Sequence, residues 1–442
     1  MLKKISYNQI IAFSFLGVIF IGAVLLSLPI SAQDRQWTPF LSSLFTATSA
    51  TCVTGLTVVD TSAHWSRFGQ VVVLCLIQIG GLGFMTLMLT FSTLVRKRLS
   101  LRNQLILRQS TGGSGNETMW SLLKQILLGT AMFEFIGFVL LTIRFCGMLP
   151  FGQALYFALF HSVSAFCNAG FDILGSLGSS SVGMFVFDPL VNLTLMFLII
   201  TGGLGFLVWE DVRNCRFKFK KMQLHTKLVL STTAILLVFG WVSFLIVERN
   251  GVLSDMSLPQ RMLVSMFQSV TTRTAGFASV DQAHLTEPGA IITTALMLIG
   301  GSPGSTAGGL KTTTFAVLVI ATVCSARNDE STVVFKKRID PAVVREATAI
   351  ANIYLSVAIA GAVVICMLEP FSLIETLYET ASAIGTVGLT MGITPYLGTA
   401  SRIIIIIMMF AGRIGGLSFI VALAEKRKKV PLERPIGKIL IG

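Results

Sequence analysis

Four short stretches of the chain end in the same way: TCVTGL (51–56), FCNAGF (166–171), TRTAGF (272–277) and IGTVGL (384–389). The four glycines recur at intervals of roughly 110 residues, and such a regular period indicates one structural unit used four times. Glycine permits backbone conformations that other residues avoid, so four such loops can converge on one axis and present rings of carbonyl oxygens. The pattern predicts a filter that binds a dehydrated cation.

The composition of the chain is that of a membrane protein. Of its 442 residues, 53% are hydrophobic and 12% are charged, which differs strongly from soluble globular proteins. Apolar runs long enough to cross a bilayer recur along the chain. They include 9–30, 69–95, 120–143, 188–209, 228–247, 350–367 and 403–424. We therefore predict an all-α polytopic membrane protein.

The net charge of +13 does not indicate a nucleic-acid partner, because the basic residues are unevenly distributed. Most of the 34 lysines and arginines lie in five stretches: 1–8, 96–118, 210–227, 327–349 and 425–442. Under the positive-inside rule these stretches are cytoplasmic, and so are both termini. We expect the basic loops to contact anionic membrane lipid. The seven cysteines and four histidines show no spacing typical of a disulfide framework or a metal site.

Each predicted unit consists of a spanning helix (M1), a half-length helix, a glycine loop and a second spanning helix (M2). The units are 1–100, 101–220, 221–345 with the candidate gate, and 346–442 with the C-terminal tail. The half-length helices are too short to cross a bilayer, so other helices or water must surround them. Each points its negative C-terminal end toward the pore, which favours a cation there. We predict four M1–pore loop–M2 repeats in pseudo-four-fold arrangement around one pore.

The predicted filter consists of the four glycines and the residues directly before them, whose carbonyl oxygens would face the ion. We expect the side chain of Arg273 to lie behind the filter, because a guanidinium in the ion path would oppose cations. The filter residues are Cys52, Val53, Thr54, Gly55, Cys167, Asn168, Ala169, Gly170, Arg273, Thr274, Ala275, Gly276, Gly385, Thr386, Val387 and Gly388.

The second spanning helix of the third unit contains a helix-breaking run, GGSPGSTAGG (300–309). In the other units, clusters such as Gly80-Gly81 and Gly202-Gly203 are sufficiently explained by close helix packing. The run is not a phosphate-binding loop, because Leu310 separates its last glycine from Lys311 and no strand precedes it. We predict an irregular segment that lines the pathway below the filter and acts as its gate.

Charged residues inside spanning segments are functional candidates, because charge is costly in a bilayer. Arg413 and Lys311 both lie on the cytoplasmic side of their filter glycines, where a positive group would repel the ion or anchor the loop. The alternative is that both pair with helix ends or acids. Glu134 also lies in a spanning run and needs a partner that the sequence does not identify. The predicted gate consists of Gly300, Gly301, Ser302, Gly304, Ser305, Gly308, Gly309, Lys311 and Arg413.

Longer motifs around these residues resemble KtrB-type membrane subunits of the Ktr/Trk/HKT superfamily of potassium transporters. The resemblance extends over essentially the whole chain. It implies K⁺ uptake across the bacterial plasma membrane, K⁺ bound at the filter residues, an intramembrane gating loop in the third unit, and a homodimer with one pore per subunit. The motifs are LFTATSATCVTGLTVVD (44–60), IQIGGLGF (77–84), HSVSAFCNAGF (161–171), TTRTAGF (271–277), AIGTVGLTMG (383–392) and GRIGGL (412–417).

The same resemblance implies a cytosolic RCK-type ring, similar to KtrA, which carries the nucleotide and controls the gate. It also implies that Na⁺ stimulates uptake. The tail PIGKILIG (435–442) resembles Ktr tails that pack at the dimer interface. In plant relatives a serine at the first filter position accompanies sodium permeation, so Gly55 favours potassium. Only GTVG (385–388) approaches the filter sequence of potassium channels, so we expect weaker selectivity than in a symmetric channel.

Two other classes of protein share parts of this pattern. A secondary transporter with parallel repeats also has glycine-broken helices, but it places ionisable groups at corresponding positions in paired repeats. Here the glycines repeat and the acids do not. A membrane enzyme would need His, Asp, Glu or Cys residues at catalytic or metal-ligand spacing, and no such cluster recurs. The chain is therefore predicted not to be an enzyme.

Overall fold

The computed structural model describes residues 7–94, 119–178, 181–329 and 331–415. The basic stretches 96–118 and 425–442, and with them the tail 435–442, lie outside these residues. The helices are α1 (Tyr7–Ser27), α2 (Phe40–Cys52), α3 (Thr61–His64), α4 (Arg67–Leu94), α5 (Met119–Phe145), α6 (Phe151–Phe166), α7 (Pro189–Leu204), α8 (Phe206–Asn214), α9 (Leu224–Val247), α10 (Leu258–Thr271), α11 (Glu287–Leu298), α12 (Thr312–Ala326), α13 (Pro341–Leu368), α14 (Leu373–Gly385) and α15 (Thr399–Ile414).

The remaining regular structure is short. A hairpin pairs β1 (Val333–Val334) with β2 (Lys337–Arg338) in antiparallel fashion. Single 3₁₀ turns lie in the connectors, at Pro29–Ser31, Leu174–Leu177, Ser181–Phe185, Phe219–Lys221, Glu248–Asn250, Gln282–His284 and Thr394–Tyr396. These elements agree with the predicted all-α class.

Not every predicted span is one unbroken helix. Among the described residues, three helices are long and apolar enough to cross a bilayer alone, at Lys124–Phe145, Leu224–Asn250 and Pro341–Leu368. Helices α7 and α8 meet the same criterion only as a pair that is bent by 91°. Other apolar helices, such as Arg67–Gly83 and Glu287–Leu298, are shorter. The sequence predicts two full spans per unit. The structure has fewer unbroken spans than predicted because the second helices are interrupted.

Helix packing closes a ring around a common centre. The half-length helices α2, α6, α10 and α14, here called the pore helices, pack against the helix that precedes each of them, α1, α5, α9 and α13. The helix that follows each glycine turn packs against the next pore helix: α4 on α6, α7 on α10, α11 on α14, and α15 back on α2. The predicted unit boundaries stay predictions, and the one after residue 100 lies outside the described residues.

Capping residues fix where two pore helices begin. Ser257 and Gln260 form a capping box at the start of α10, and Ser372 and Glu375 form the same box at the start of α14. In the second box the Glu375 carboxylate accepts a hydrogen bond from the Ser372 backbone N–H at 2.8 Å. Such boxes satisfy backbone donors that the first helical turn leaves free. They start each pore helix at a definite residue.

In the last two segments a carboxylate joins M1 to the start of M2. Glu248, at the end of α9, accepts hydrogen bonds from the backbone N–H and the hydroxyl of Thr286 at 2.9 and 2.8 Å. Glu369, at the end of α13, accepts from the Gly398 N–H at 2.8 Å and from the Ser401 hydroxyl at 2.9 Å. A carboxylate at a helix N-terminus is also stabilised by the helix dipole. Each of these two pore loops is therefore held between two linked helices.

Replacing Glu248 by alanine is expected to destabilise the protein. The side chain is fully buried, and its removal leaves the Thr286 donors without their acceptor. Hydrogen bonds to charged groups contribute about 1.5–3 kcal/mol each, so we expect the thermal unfolding midpoint in detergent to fall by about 3–5 °C. The matched control is Glu287→Ala, because Glu287 is exposed in the first turn of α11. Equal midpoints for the two variants would contradict the role of Glu248.

Candidate functional site

The residue two positions before each filter glycine has a left-handed backbone. Such a conformation costs a residue with a side chain roughly 1–2 kcal/mol, and it persists only where the surroundings enforce it. The glycines themselves also have positive φ angles, between 67° and 98°. The sequence indicated the glycines but not this second special position. Its residues are Val53 (φ 57°), Asn168 (φ 59°), Thr274 (φ 68°) and Thr386 (φ 53°).

The first pore helix ends in a hydrogen-bonded turn that orients the filter carbonyls. The N–H groups of Val53, Thr54 and Gly55 donate back to the helix, at 3.2 Å to Ala50 O, 2.8 Å to Ser49 O and 3.0 Å to Ser49 Oγ. In a trans peptide the C=O points opposite to the N–H of the next residue. The carbonyls of residues 52, 53 and 54 therefore point away from the helix.

The fourth pore helix ends in the same turn. Here the N–H groups of Thr386, Val387 and Gly388 donate to Ala383 O at 3.2 Å, to Ser382 O at 2.8 Å and to Ser382 Oγ at 3.0 Å. The carbonyls of residues 385, 386 and 387 are directed away from α14 for the same reason. A serine six positions before the glycine thus anchors both turns.

The second and third turns vary this pattern. In the second, Asn168 and Ala169 donate to Ala165 O at 3.1 Å and to Ser164 O at 2.8 Å, as in the other two turns. In the third, the N–H groups of residues 275 and 276 both donate to Thr271 O, at 3.0 and 3.4 Å. The third turn is therefore wound differently, although its glycine occupies the same place.

The four glycine turns touch one another in a closed ring. A Cβ atom added at any of the glycines would collide with the residue that precedes the next glycine, so no side chain fits. The contacts run in one direction: from Gly55 to the oxygen of Ala169, from Gly170 to that of Ala275, from Gly276 to that of Val387, and from Gly388 to that of Thr54. Carbonyl oxygens from all four segments thereby lie around one centre.

Several threonine hydroxyls at this centre are buried and have no hydrogen-bond partner among the described residues. A buried hydroxyl without a partner is costly. The hydroxyl of Thr386 lies against Gly308 of the loop that follows α11. The sequence predicted Thr54, Thr274 and Thr386 as filter residues for their carbonyl oxygens and did not single out their hydroxyls. The unpartnered hydroxyls belong to Thr51, Thr54, Thr274 and Thr386.

The glycine clusters of the second helices contact the filter turns directly. A Cβ atom at Gly80 would overlap the carbonyl oxygen of Thr51, and one at Gly202 would overlap that of Phe166. At Gly412 the overlap would be with the oxygen of Ile384. In all three cases the oxygen belongs to the residue four positions before the filter glycine. The missing side chains let each second helix pass against the end of a pore helix.

A further glycine, three residues later, ends helical geometry in each of these helices. Gly83 (φ 79°), Gly205 (φ 97°) and Gly415 (φ 94°) all have backbone angles that an α-helix does not contain. The sequence predicts a break only in the third segment, and that prediction is too narrow. A glycine with positive φ ends helical geometry even in an apolar run, so the second helices of the first and second segments are broken as well. In the fourth segment, α15 ends at Ile414, next to the last described residue.

In the third segment the break is the loop of residues 300–311, here called the central loop. Its two ends pair, since the Gly300 N–H donates to Leu310 O at 2.8 Å and the Thr312 N–H donates to Gly301 O at 3.0 Å. The hydroxyls of Ser302 and Thr312 lie 2.9 Å apart and link the same ends. The predicted irregular segment is therefore a closed loop whose two ends pair in parallel.

The central loop lies directly against the filter turns of its neighbours. The N–H groups of Ser302 and Thr306 donate to Gly203 O at 2.9 Å and to Gly202 O at 3.2 Å. On the other side, a Cβ atom at Gly309 would come within 2.8 Å of the carbonyl oxygen of Gly385. The loop therefore spans from the second to the fourth segment beneath the ring of glycines.

Arg413 joins the central loop to the first segment. Its guanidinium donates to the carbonyl oxygens of Thr306, Gly80 and Gly81. Lys311 is bound within the loop, because its ammonium donates to Ala307 O at 2.7 Å. Both cations thus pair with backbone carbonyls, and neither forms an ion pair within the described part of the chain.

The other charged candidates lie beside the filter. Arg273 is buried, and its guanidinium approaches the Gly300 carbonyl at 3.5 Å, at the start of the central loop. The carboxyl group of Glu134 lies next to the side chain of Gln78 in α4, and its Oε1 atom has no hydrogen-bond partner among the described residues. In the connector after the second turn, burial and the nearby Asp60 carboxylate raise the pKa of Asp172 to about 6.

Sequence comparison places the chain among known transporters. Residues 5–430 match the family model described as TrkH, cation transport protein. The chain is 39% identical over 437 residues to the Ktr system potassium uptake protein B of Bacillus subtilis, covering 98% of this chain and 96% of that protein. It is 38% identical over 448 residues to the potassium/sodium uptake protein NtpJ of Enterococcus hirae, covering 100% and 98%.

The fold agrees with these matches. It is similar to the crystal structure of the potassium transporter TrkH from Vibrio parahaemolyticus, with a TM-score of 0.72 and 16% identity over 96% of this chain and 86% of that one. The predicted all-α polytopic membrane fold and the resemblance to the Ktr/Trk/HKT superfamily are confirmed. A family of cation transporters also agrees with the prediction that the chain is not an enzyme. The chain belongs to the TrkH family of cation transport proteins.

Proposed function

We propose that this chain takes up potassium through a channel-like pore. The observation that carries the proposal is the closed ring of four glycine turns, because it brings carbonyl oxygens from every segment to one centre. Carbonyl rings of this kind replace the hydration shell of a K⁺ ion. The C-terminal ends of the four pore helices add negative potential there. Potassium is the ion because the similar proteins of B. subtilis and E. hirae are named for its uptake.

The filter is formed by the carbonyl oxygens of the predicted filter residues. In the first and fourth turns, the backbone hydrogen bonds to the pore helix support three inward carbonyls each. The unpartnered hydroxyls of Thr54 and Thr386 supply further oxygen ligands to the ion or to its water. The Arg273 guanidinium stays behind the filter and holds Gly300. The differently wound third turn makes the ring less symmetric than that of a four-fold channel, which is consistent with weaker selectivity.

The central loop is the gate. In the arrangement described here it lies beneath the filter, and Arg413 ties it to the opposite side of the ring. A positively charged side chain at this depth also repels the cation. Opening requires that the loop leave Gly202, Gly203 and the Arg413 guanidinium. A partner achieves this by binding the open arrangement more tightly than the closed one.

The remaining features of the proposal rest on the family resemblance and on the charge distribution. The functional unit is a homodimer with one pore per subunit, in the bacterial plasma membrane, with both termini in the cytoplasm. A cytosolic RCK-type ring carries the regulatory nucleotide and controls the gate. Sodium stimulates uptake. The exposed basic residues of the connectors near 213–221 and 336–338 provide surfaces for such a ring.

One structural observation is shared with another class of transporter. The glycine breaks in the second helices are also found in secondary transporters, in which broken helices form a substrate site. A coupled transporter would move K⁺ only together with a second ion or a proton. Flux measurements distinguish this alternative from a channel-like pore.

The proposed function is tested with purified protein in liposomes that contain K⁺ inside and Na⁺ outside. With a cytosolic regulatory subunit and its nucleotide added, we expect K⁺ efflux that generates a membrane potential and exceeds Na⁺ flux in the reversed arrangement. This efflux should persist when an uncoupler dissipates the proton gradient, because protons that enter through the uncoupler balance the charge that leaves. Liposomes without protein are the control. Flux that stops with the uncoupler would support coupled secondary transport instead, and equal K⁺ and Na⁺ fluxes would contradict a selective filter.

A further inference from the structure

A cavity of about 460 Å³ lies between α9, α12 and α13, away from the filter. This volume falls within the range of ligand sites. Much of its wall is apolar and includes Leu228, Val317, Val343 and Ile350. The cavity lies at the helix ends that the basic connectors join. Under the proposed topology these are the cytoplasmic ends.

Two basic connectors lie next to the cavity. The aromatic rings of Phe219 and Phe335 lie 6.0 Å apart and hold the connector after α8 beside the β1–β2 hairpin. Of the cations that these connectors expose, Arg338 lines the cavity and the others lie beside it. Two acids, Asp340 and Glu346, also line the cavity. The exposed cations outnumber them, so this end of the cavity attracts an anionic headgroup. The cations are Lys218, Lys220, Lys221, Lys336, Lys337 and Arg338.

The cation that lines the cavity is Arg338, which is exposed. Its guanidinium offers the fork of donors that suits a phosphate group. His225 also lines the cavity, but its Nε2 atom is buried and does not open onto it.

We propose that this cavity binds one anionic phospholipid of the cytoplasmic leaflet. Its phosphate lies at Arg338, and one acyl chain lies along Leu228, Val317 and Ile350. A lipid satisfies both halves of the site, because it combines an anionic head with an apolar chain. The basic segments of this same chain outside the described residues are poorer occupants, since the exposed cations of the connectors would repel them. Anionic headgroups are attracted to such basic clusters at the membrane surface.

The cavity is connected to the central loop by α12. This helix begins at Thr312, directly after the loop, and Thr313 and Thr314 line the cavity. Thr312 in turn is bound to Ser302 at the other end of the loop. A lipid that packs on the first turn of α12 therefore biases the position of the loop. This coupling to flux rests on the proposed function, whereas the binding of the lipid does not.

Lipid binding is tested by native mass spectrometry of the full-length protein in detergent with added phosphatidylglycerol. The Arg338→Ala variant is expected to retain the lipid roughly tenfold less well than wild type, since a charged hydrogen-bond donor is lost. Val343→Trp, which fills the cavity, should lower retention without changing charge. The matched control is Arg345→Ala, because Arg345 is an exposed arginine of α13 that does not line the cavity. Phosphatidylcholine with the same acyl chains should bind more weakly to wild type.

Several results would overturn the proposal. Equal retention by wild type and both cavity variants would mean that the lipid binds elsewhere, and equal retention of the two lipids would remove the role of the phosphate site. Normal lipid retention by Arg338→Ala together with a lost response to the cytosolic subunit would assign the cavity to a protein partner. In liposomes of rising phosphatidylglycerol content, K⁺ flux should change for wild type and stay constant for Arg338→Ala. If wild type and Arg338→Ala gave identical flux curves although they retained different amounts of lipid, the coupling of the lipid site to flux would be disproved and the binding of the lipid would stand.

Discussion

Replacing Gly388 by serine is expected to lower the K⁺ over Na⁺ preference of the protein at least about tenfold, which corresponds to about 1.4 kcal/mol. Gly388 has a φ of 98°, and a Cβ atom there would overlap the carbonyl oxygen of Thr54 and lie 2.9 Å from the Cα atom of Gly55. The added atom must push the first turn out of the ring and redirect its carbonyls. Gly55, Gly170 and Gly276 make the equivalent contacts, so serine at those positions should act in the same direction. The measurement is the ratio of Rb⁺ to Na⁺ uptake in liposomes, in which Rb⁺ serves as the tracer for K⁺.

Gly392 provides a matched control in the same connector. Its φ is 91°, close to that of Gly388, but a Cβ atom added there would have no neighbour within 4 Å. Gly392→Ser therefore carries a similar backbone penalty without a collision in the ring. We expect it to keep the wild-type ion preference. If both variants lost selectivity equally, backbone strain in the fourth loop, and not the ring of glycines, would explain the effect.

Much of this architecture could be predicted because the bilayer limits what an apolar sequence can do. The half-length runs before the four glycines predicted pore helices, and the first and fourth of these helices lie at Phe40–Cys52 and Leu373–Gly385. Chain connectivity and the repeat period were sufficient for this step. The left-handed backbone at Val53 and Thr386 was not predictable in the same way. Local preference argues against it for β-branched residues, and it is enforced by the packing of four distant segments.

The glycines of the second helices show a different limit of sequence analysis. Gly80 is needed because a side chain would collide with Thr51, whereas Gly83 has nothing within 4 Å of an added Cβ atom and instead has a φ of 79°. The two neighbouring glycines look alike in the sequence, but the first permits close packing and the second ends helical geometry. Only the three-dimensional arrangement separates these uses of glycine, so the breaks at Gly83 and Gly205 were not predicted.

Removing the guanidinium of Arg413 is expected to raise K⁺ flux through the membrane subunit alone by about tenfold or more. The side chain donates to one carbonyl of the central loop, at Thr306, and to two of the first segment, at Gly80 and Gly81. A hydrogen bond to a charged group contributes about 1.5–3 kcal/mol, so the loss of one link alone shifts the loop equilibrium by roughly tenfold. The Arg413→Ala variant also removes a positive charge beneath the filter, which acts in the same direction. The measurement is Rb⁺ uptake into liposomes without the cytosolic subunit.

Two further variants separate the anchoring role from a general effect on α15. Arg402 lies near the start of the same helix and donates to Leu397 O at 2.7 Å and to Pro395 O at 3.0 Å, so Arg402→Ala removes similar bonds far from the central loop. We expect its basal flux to stay at the wild-type level. Arg413→Lys keeps the charge but loses the planar fork of donors, and an intermediate flux would show that bonding as well as charge holds the loop. Low basal flux in Arg413→Ala, with regulation by the cytosolic subunit intact, would mean that the loop closes without Arg413 and that the gate depends on other contacts.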